Sequence, residues 1–563
     1  MAATTLLAQW AKPSLPAKKA IALDEVVYLF NPGAEGFFLG ANDWSTRASI
    51  SPTRGYKVTI EKYVTENATD WDGKSYFITS YIEDGAPAGQ TLCTFISGWD
   101  NIWVDRAKTD PEDKAFTFEA QANGNYRIGL SPQNREYNAE AYEGAYLGII
   151  PSRGDTRIYL CDPYAAAYDF STCFIDWYFV SPADYTAYTT AVKQYIAATA
   201  LGQAIEDAKT RFPNVDISSA NSVYNNTAST DAELEAALQN LTLLLMDYAT
   251  PEATVDMTGF ITNPSYDNND NNGWTGTTPG FQQYGNAEFF SKNYDYHQTL
   301  SLRAGVYRVG TTAYYRAGSA EADAEALTAL KETGEAPQNA KLYVSTGLHS
   351  TFYRPLPFAS TGATEEAMGD DTSTNTYGII PNNMHTGQVY FDAGKYQPTF
   401  VTCMVGEDGA LTMGLKKETT ISNDWTLFDN WTLTYLGTSA EAYNEVREEY
   451  LSFAPDYEDL VVSGECQYYQ HAAYDAYLAA KQTLLAATTA DQMAKAITAY
   501  DEATQTLQTS VEAYNAYYEK VCEANNFFDE RSDELMGEGM MLLGDYLGSD
   551  EGPSPEYPLF VNG

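Results

Sequence analysis

Ile261-Thr262-Asn263-Pro264-Ser265-Tyr266-Asp267 opens the stretch that decides the fold, and it runs through a polar turn over residues 268–273 to Trp274. The stretch ends on Trp425-Thr426-Leu427-Phe428-Asp429-Asn430-Trp431-Thr432-Leu433-Thr434-Tyr435-Leu436-Gly437. Between these ends, residues 297–309 hold two alternating strands joined at Ala304-Gly305. Phe391-Asp392-Ala393-Gly394-Lys395-Tyr396 repeats that turn, and Ala410-Leu411-Thr412-Met413-Gly414-Leu415 adds another strand. Apolar and polar residues alternating with period two predict half-buried strands. Residues 253–437 therefore read as an all-β sandwich, with an insertion over 321–339 whose first part reads as a helix or a mobile loop.

Three elements occur here in order: Asn263-Pro264-x-Tyr266-Asp267…Gly273-Trp274, Ala304-Gly305-x-Tyr307, and Phe428-Asp429-Asn430-Trp431. In that order they resemble the galactose-binding-like jelly roll, the fold of many carbohydrate-binding modules. The resemblance implies a structural calcium that staples the first and last strands through Asp267 and Asp429, since a hard cation takes several oxygen ligands. Asp429 equally fits a hydrogen-bond acceptor for backbone amides. Residues 267–272 superficially match an EF-hand loop but lack the glycine at position six, and Thr278 stands where a bidentate Glu belongs. Sugars offer C–H faces to aromatic rings and hydroxyls to amides and carboxylates. Trp274, Phe281, Tyr284 and Trp425 lie beside polar turns and are the candidate glycan-binding residues; core packing is the competing role for each ring.

Upstream, residues 25–183 show short β-type runs separated by Gly, Pro, Asn and Asp. Val26-Val27-Tyr28-Leu29-Phe30 leads to Gly36-Phe37-Phe38-Leu39-Gly40, and Tyr126-Arg127-Ile128-Gly129-Leu130 leads to Gly144-Ala145-Tyr146-Leu147-Gly148. A divergent middle copy runs from Tyr76-Phe77-Ile78 to Ile102-Trp103-Val104, and the units close on Tyr56-Lys57-Val58, Phe116-Thr117-Phe118 and Trp177-Tyr178-Phe179. Three units that cannot bury their apolar faces alone predict a closed threefold barrel. The segment resembles the ricin-type β-trefoil family, without its Gln-x-Trp signature; the resemblance implies a sugar-binding, spacer or protein-binding module.

The period changes to that of a helix over 184–252 and again over 438–525. Thr230 and Glu233 have the spacing of a capping box ahead of Leu234, Leu238 and Leu241, and Thr489 with Gln492 repeats the device ahead of Met493 and Ile497. These stretches resemble the FIVAR-type helical spacers of bacterial surface proteins. Residues 526–563, acidic and rich in Gly, Ser and Pro, read as a flexible tail. Residues 1–24 read as an N-terminal segment, either the remnant of a secretory signal cleaved near Ala8 or Gln9 or an ordinary terminus.

The whole chain of 563 residues carries 76 acidic against 33 basic residues, a formal net charge of -43. That balance repels phosphate and excludes nucleic acid and anionic membrane surfaces as partners. No run is long and apolar enough to cross a bilayer. The six cysteines show no Cys-x-x-Cys pair and read mostly as buried free thiols; Cys161 and Cys173 fall close together and are a disulfide candidate if the protein is exported, with pairing left open by the sequence. His297, His349, His385 and His471 are widely separated, with no His-Glu-x-x-His, and no Gly-x-Ser-x-Gly elbow occurs. No catalytic residues are assigned. The sequence thus predicts a multidomain chain: an all-β trefoil-like domain, a helical-bundle spacer, an all-β jelly-roll sandwich and a second helical bundle. The expected function is non-catalytic glycan capture or adhesion at the outer face of a Gram-negative envelope, with glycans or host surface proteins as partners. A surface assembly protein is the second reading and a glycoside hydrolase with an unrecognised site the third.

Overall fold

The computed structural model describes residues 10–40, 47–63, 75–80, 90–94, 96–105, 113–266, 270–282, 284–334, 339–453, 455–466 and 468–531. Asp267, the first nine residues and residues 532–563 of the expected tail lie outside them.

The first domain has strands β1 (Val27–Asn31), β2 (Gly36–Gly40), β3 (Ala48–Ser51), β4 (Lys57–Lys62), β5 (Tyr76–Ser80), β6 (Thr91–Cys93), β7 (Trp103–Asp105), β8 (Phe116–Ala120), β9 (Tyr126–Leu130), β10 (Tyr146–Gly148), β11 (Tyr159–Cys161) and β12 (Asp176–Val180). Antiparallel pairing runs β1 to β4, β5, β8, β9, β12 and back to β1, so the sheet closes on itself. From β1, β5 and β9 hang the hairpins β2–β3, β6–β7 and β10–β11. Closure removes the exposed strand edges that three separate units would leave. A short helix, α1 (Pro132–Tyr137), interrupts the β pattern and is started by the Ser131 side chain accepting from the Asn134 amide.

Next come α2 (Pro182–Arg211), α3 (Ser218–Asn225) and α4 (Asp231–Leu245). The Thr230–Glu233 capping box is present, with both reciprocal hydrogen bonds made. Packing against α2 explains why β1 is apolar at successive positions. Val27 and Leu29 face the ring interior with Val58, Ile60, Phe116 and Trp177, while Tyr28 and Phe30 face outward with Tyr185 and Tyr188 of α2. Residues 10–24 dock here as well: Trp10 Nε1 donates to the Tyr224 carbonyl (2.8 Å), and Tyr178 Oη donates to the Pro16 carbonyl (2.9 Å).

The second β domain has β13 (Val255–Asp256), β14 (Thr275–Gly276), β15 (Gly280–Gln282), β16 (Asn286–Phe290), β17 (Tyr294–Ser301), β18 (Gly305–Arg316), β19 (Ala340–Thr346), β20 (His349–Pro355), β21 (Thr372–Asn375), β22 (Gly378–Pro381), β23 (Thr399–Val405), β24 (Ala410–Lys417) and β25 (Trp425–Gly437). One sheet has the order β15-β16-β25-β18-β23, with β13 on β25; the other has the order β14-β17-β24-β19-β20. Their facing sides bury an aromatic cluster. The Trp274 ring stacks on Tyr296 (5.0 Å) and lies 4.8 Å from Trp431. Trp431 Nε1 donates to Tyr266 Oη (2.8 Å), and the Trp431 amide donates to the Pro264 carbonyl (2.9 Å). The opening motif and the closing strand are thus joined by ring packing and hydrogen bonds.

Three local expectations change. β17 and β18 belong to different sheets, so Ala304-Gly305 is a crossover between layers; Gly305 has φ 148°, and a Cβ there would meet the Tyr435 ring at 2.4 Å. Phe391-Asp392-Ala393-Gly394 is the end of a helix rather than a strand turn. Asn383 caps its start, and Gly394 takes the left-handed conformation (φ 65°) just past its end. The insertion resolves as a helix over Ala320–Thr333, capped by Ser319 and ended by Gly334 at φ 72°. We label these two helices α5 (Ala320–Thr333) and α6 (Met384–Asp392).

The last unit comprises α7 (Ala440–Phe453), α8 (Tyr457–Ser463), α9 (His471–Ala486) and α10 (Ala490–Arg531). α10 runs past 525, the expected end of the helical stretch, because no Gly or Pro follows in the sequence until Gly537.

Candidate functional site

The loops that end β-hairpin units are polar and short, and those of β3, β7 and β10–β11 carry arginines and aspartates: Arg47, Asp100, Arg153, Asp155 and Arg157. The fold sets them against Tyr284, between β15 and β16, and against the exposed side of α6. Between the two domains lies a cleft of about 970 Å³, lined by these residues with Tyr159, Asp370, His385, Gln388 and Asp392. That volume is at the upper end of ordinary ligand sites.

Each cleft side chain is held. Arg153 pairs with Asp100 (2.5 Å), and its guanidinium lies 4.1 Å over the Tyr159 ring. Tyr159 Oη donates to Asp155 (2.6 Å); burial first, then the Asp155 carboxylate, pushes this phenol up to about 12, so it stays a donor at neutral pH. Arg47 hydrogen-bonds Asn101 and lies 5.1 Å over the Trp103 ring. Arg157 lies 4.7 Å over Tyr284, and Tyr284 stacks on His385 at 4.8 Å. Arg157, Tyr284 and His385 thus meet across the domain boundary through a cation–π contact and a ring stack. His385 Nδ1 is 3.1 Å from Asp370. Burial raises the Asp370 carboxyl, but the Asn383 amide, the His385 ring and the Thr386 hydroxyl outweigh it and hold it below the usual range.

The sequence-predicted residues divide. Tyr284 lines the cleft, in contact with Arg157 and His385. Trp274 is 6% exposed, and its Nε1 donates to the Thr262 carbonyl (2.9 Å). Trp425 is 3% exposed, with Nε1 donating to Glu288 (2.7 Å). Neither tryptophan offers a stacking face; Trp274, just ahead of β14, packs in the core between the two sheets, and Trp425, at the start of β25, packs in the cluster beneath α6. Phe281 is half-buried against Tyr266 (5.9 Å) and does not join Tyr284 in the cleft. Asp429 is buried behind α6. Its carboxylate accepts from the Asn430 backbone (2.6 Å) and side-chain amides and from Gln388 Nε2 (3.2 Å), so it positions a cleft residue. Asp267 lies outside the described residues, and among those described no group of three His, Cys, Asp or Glu is gathered that could hold a metal.

Sequence reasoning missed Arg47, Arg153 and Arg157. Their one signal was scarcity, since an arginine in a loop of so acidic a chain is conspicuous; nothing in their spacing tied them to α6.

Neither a known protein family nor a curated protein matches this sequence. Among solved structures, part of the chain is similar to a CBM61 module in complex with β-1,4-galactotriose, at 13% identity and TM-score 0.19, over 31% of this chain and 96% of that one. It is also similar to the binding domain of botulinum neurotoxin serotype D, at 11% identity and TM-score 0.21, over 31% of this chain and 46% of that one.

Proposed function

We propose that this chain is a non-catalytic glycan-binding protein, secreted or held at the cell surface, with its ligand in the cleft between the two β domains. The observation that carries this reading is the lining: three arginines, four aspartates, Gln388, Tyr284 and His385 converge on a cleft of about 970 Å³. Such a surface matches a ligand dense in hydroxyls and is ill suited to an apolar one. The closed ring with three hairpins supports reading residues 25–183 as a β-trefoil, and the two facing sheets support the jelly roll for residues 253–437.

Affinity electrophoresis against a polysaccharide panel that includes β-1,4-galactan tests the function. Retardation by at least one glycan, reduced about tenfold in Tyr284→Ala, is expected; unchanged mobility across the panel defeats the proposal. Reducing-sugar release from the same polymers would move the protein to the hydrolase reading. The calcium staple also belongs to this proposal and is tested by melting in calcium and in chelator: a rise of several degrees that Asp429→Ala abolishes keeps the ion, and superimposable curves remove it. A protein partner is the second reading. It is favoured by Tyr164 and Trp99, which are 81% and 52% exposed on the first domain.

A further inference from the structure

Cys161 ends β11, and Cys173 follows the short turn Phe170–Thr172, immediately before the bridge from Ile149 to Phe174. Both sulfurs enter one small cluster with Ile150, Tyr159 and Ile175. Gly148 makes the space: a Cβ there would lie 2.9 Å from Cys161 Sγ and 2.9 Å from the Phe174 carbonyl. Cys161 Sγ therefore sits in the slot between β10 and the chain that leaves Cys173, and the two cysteines share one packed pocket. Cys161 is buried and Cys173 half-buried, and both are reduced in this structure.

We propose that Cys161 and Cys173 are an oxidation site that closes to an intramolecular disulfide and staples the intervening loop to β11. The half-buried Cys173 thiolate attacks an external disulfide, either a glutathione-type small molecule or a protein disulfide oxidase. One external thiolate leaves, and a mixed disulfide forms on Cys173. The Cys161 thiolate then attacks Cys173 Sγ and expels the second external thiol. Overall two protein thiols and one external disulfide become one protein disulfide and two external thiols, so the external disulfide takes the two electrons and both protons. Burial raises both thiols above their ordinary range, so closure speeds up as pH rises and thiolate becomes available. The closed loop carries exposed Tyr164, and it carries Tyr168, over whose ring the cleft residue Arg153 sits at 5.7 Å. Closure thereby fixes one wall of the cleft.

The test uses the full chain, incubated with oxidised glutathione, acid-quenched, alkylated after denaturation and mapped by peptide mass spectrometry. A Cys161–Cys173 linked peptide is expected, with two of the six cysteines protected from alkylation and released by dithiothreitol. The oxidised form should melt roughly 5 °C above the reduced form, as expected for closing so short a loop. Cys173→Ser should lose both the link and the shift; being half-buried, it keeps the test open if Cys161→Ser fails to fold. Glutathione remaining on Cys173, six alkylated cysteines, a link to any other cysteine, or a link without a rise in melting temperature would each overturn the proposal.

Discussion

The second β domain makes two joints of opposite character. Toward the C-terminal helices, β20 and the end of β19 meet α7 and α10 through Leu348, Phe352, Tyr450 and Met404 in a continuous apolar cluster. His349 stacks on Phe352 (4.1 Å) and meets the edge of Tyr450 (4.9 Å); Arg354–Glu449 and Arg308–Glu445, each at 2.5 Å, rim the contact. Toward the first domain, the joint is the polar cleft, bridged by Arg157, Tyr284 and His385. A dry joint fixes two bodies because separating it exposes apolar surface; a wet one leaves hydrogen-bonding groups to be satisfied by water or by a ligand. The difference locates the ligand reading at one joint and assigns the other to structure.

The sharpest way to break this contrast is Tyr450→Ala. It removes a ring that is 1% exposed at the dry joint, and it should cost about 3–5 kcal/mol of stability in denaturant melts. A loss below about 1 kcal/mol would deny that joint its structural role.

Acid tests the same joint next. Burial pushes His349 down to about 4, and its Nε2 has no hydrogen-bond partner among the described residues. The groups around it are Phe352, Tyr450, the Ser350 carbonyl that Nδ1 faces, and Asp501, whose charge opposes the shift only weakly. An unfolded histidine titrates near ~6.5, so between the two values the unfolded chain binds the extra proton. The contribution is fully present above about 6.5 and is lost as pH falls toward 4, on the order of 3 kcal/mol. His349→Gln should flatten the melting temperature over that window; an unchanged slope assigns the acid sensitivity elsewhere.

At the wet joint, Tyr284→Ala should weaken glycan retention and lower the melting temperature by about a few degrees, far less than Tyr450→Ala. A double-mutant cycle with Arg157→Ala should return a coupling of about 0.5–2 kcal/mol in ligand-free stability. Zero coupling would mean that the two side chains touch without holding the domains. Smallest of all, Asp429→Asn keeps one acceptor for the Asn430 amide and loosens Gln388, for a cost of roughly 1 kcal/mol.

Elements were more legible than the site. The capping box at Thr230 was readable because both partners are local, and each of the three closing strands was readable because its aromatic run is self-contained. The turn at Phe391–Tyr396 was misread because an Ala-Gly-x-Tyr-like pattern looks alike whether a strand or a helix precedes the glycine; Asn383, which caps α6, is the local signal that separates them. Trp274 and Trp425 sat beside polar turns in sequence, but adjacency says nothing about which side of a layer a ring occupies.

By itself, the sequence determined the alternation of β and helical segments, because periodicity and caps are properties of neighbouring residues. It also determined the acidity that turns phosphate away. Only the tertiary structure decided that two tryptophans are core, that Tyr284 meets Arg157 and His385, and that Asp429 holds Gln388. Those outcomes depend on residues far apart in the chain meeting across sheets and domains, and no local pattern encodes which loop faces which.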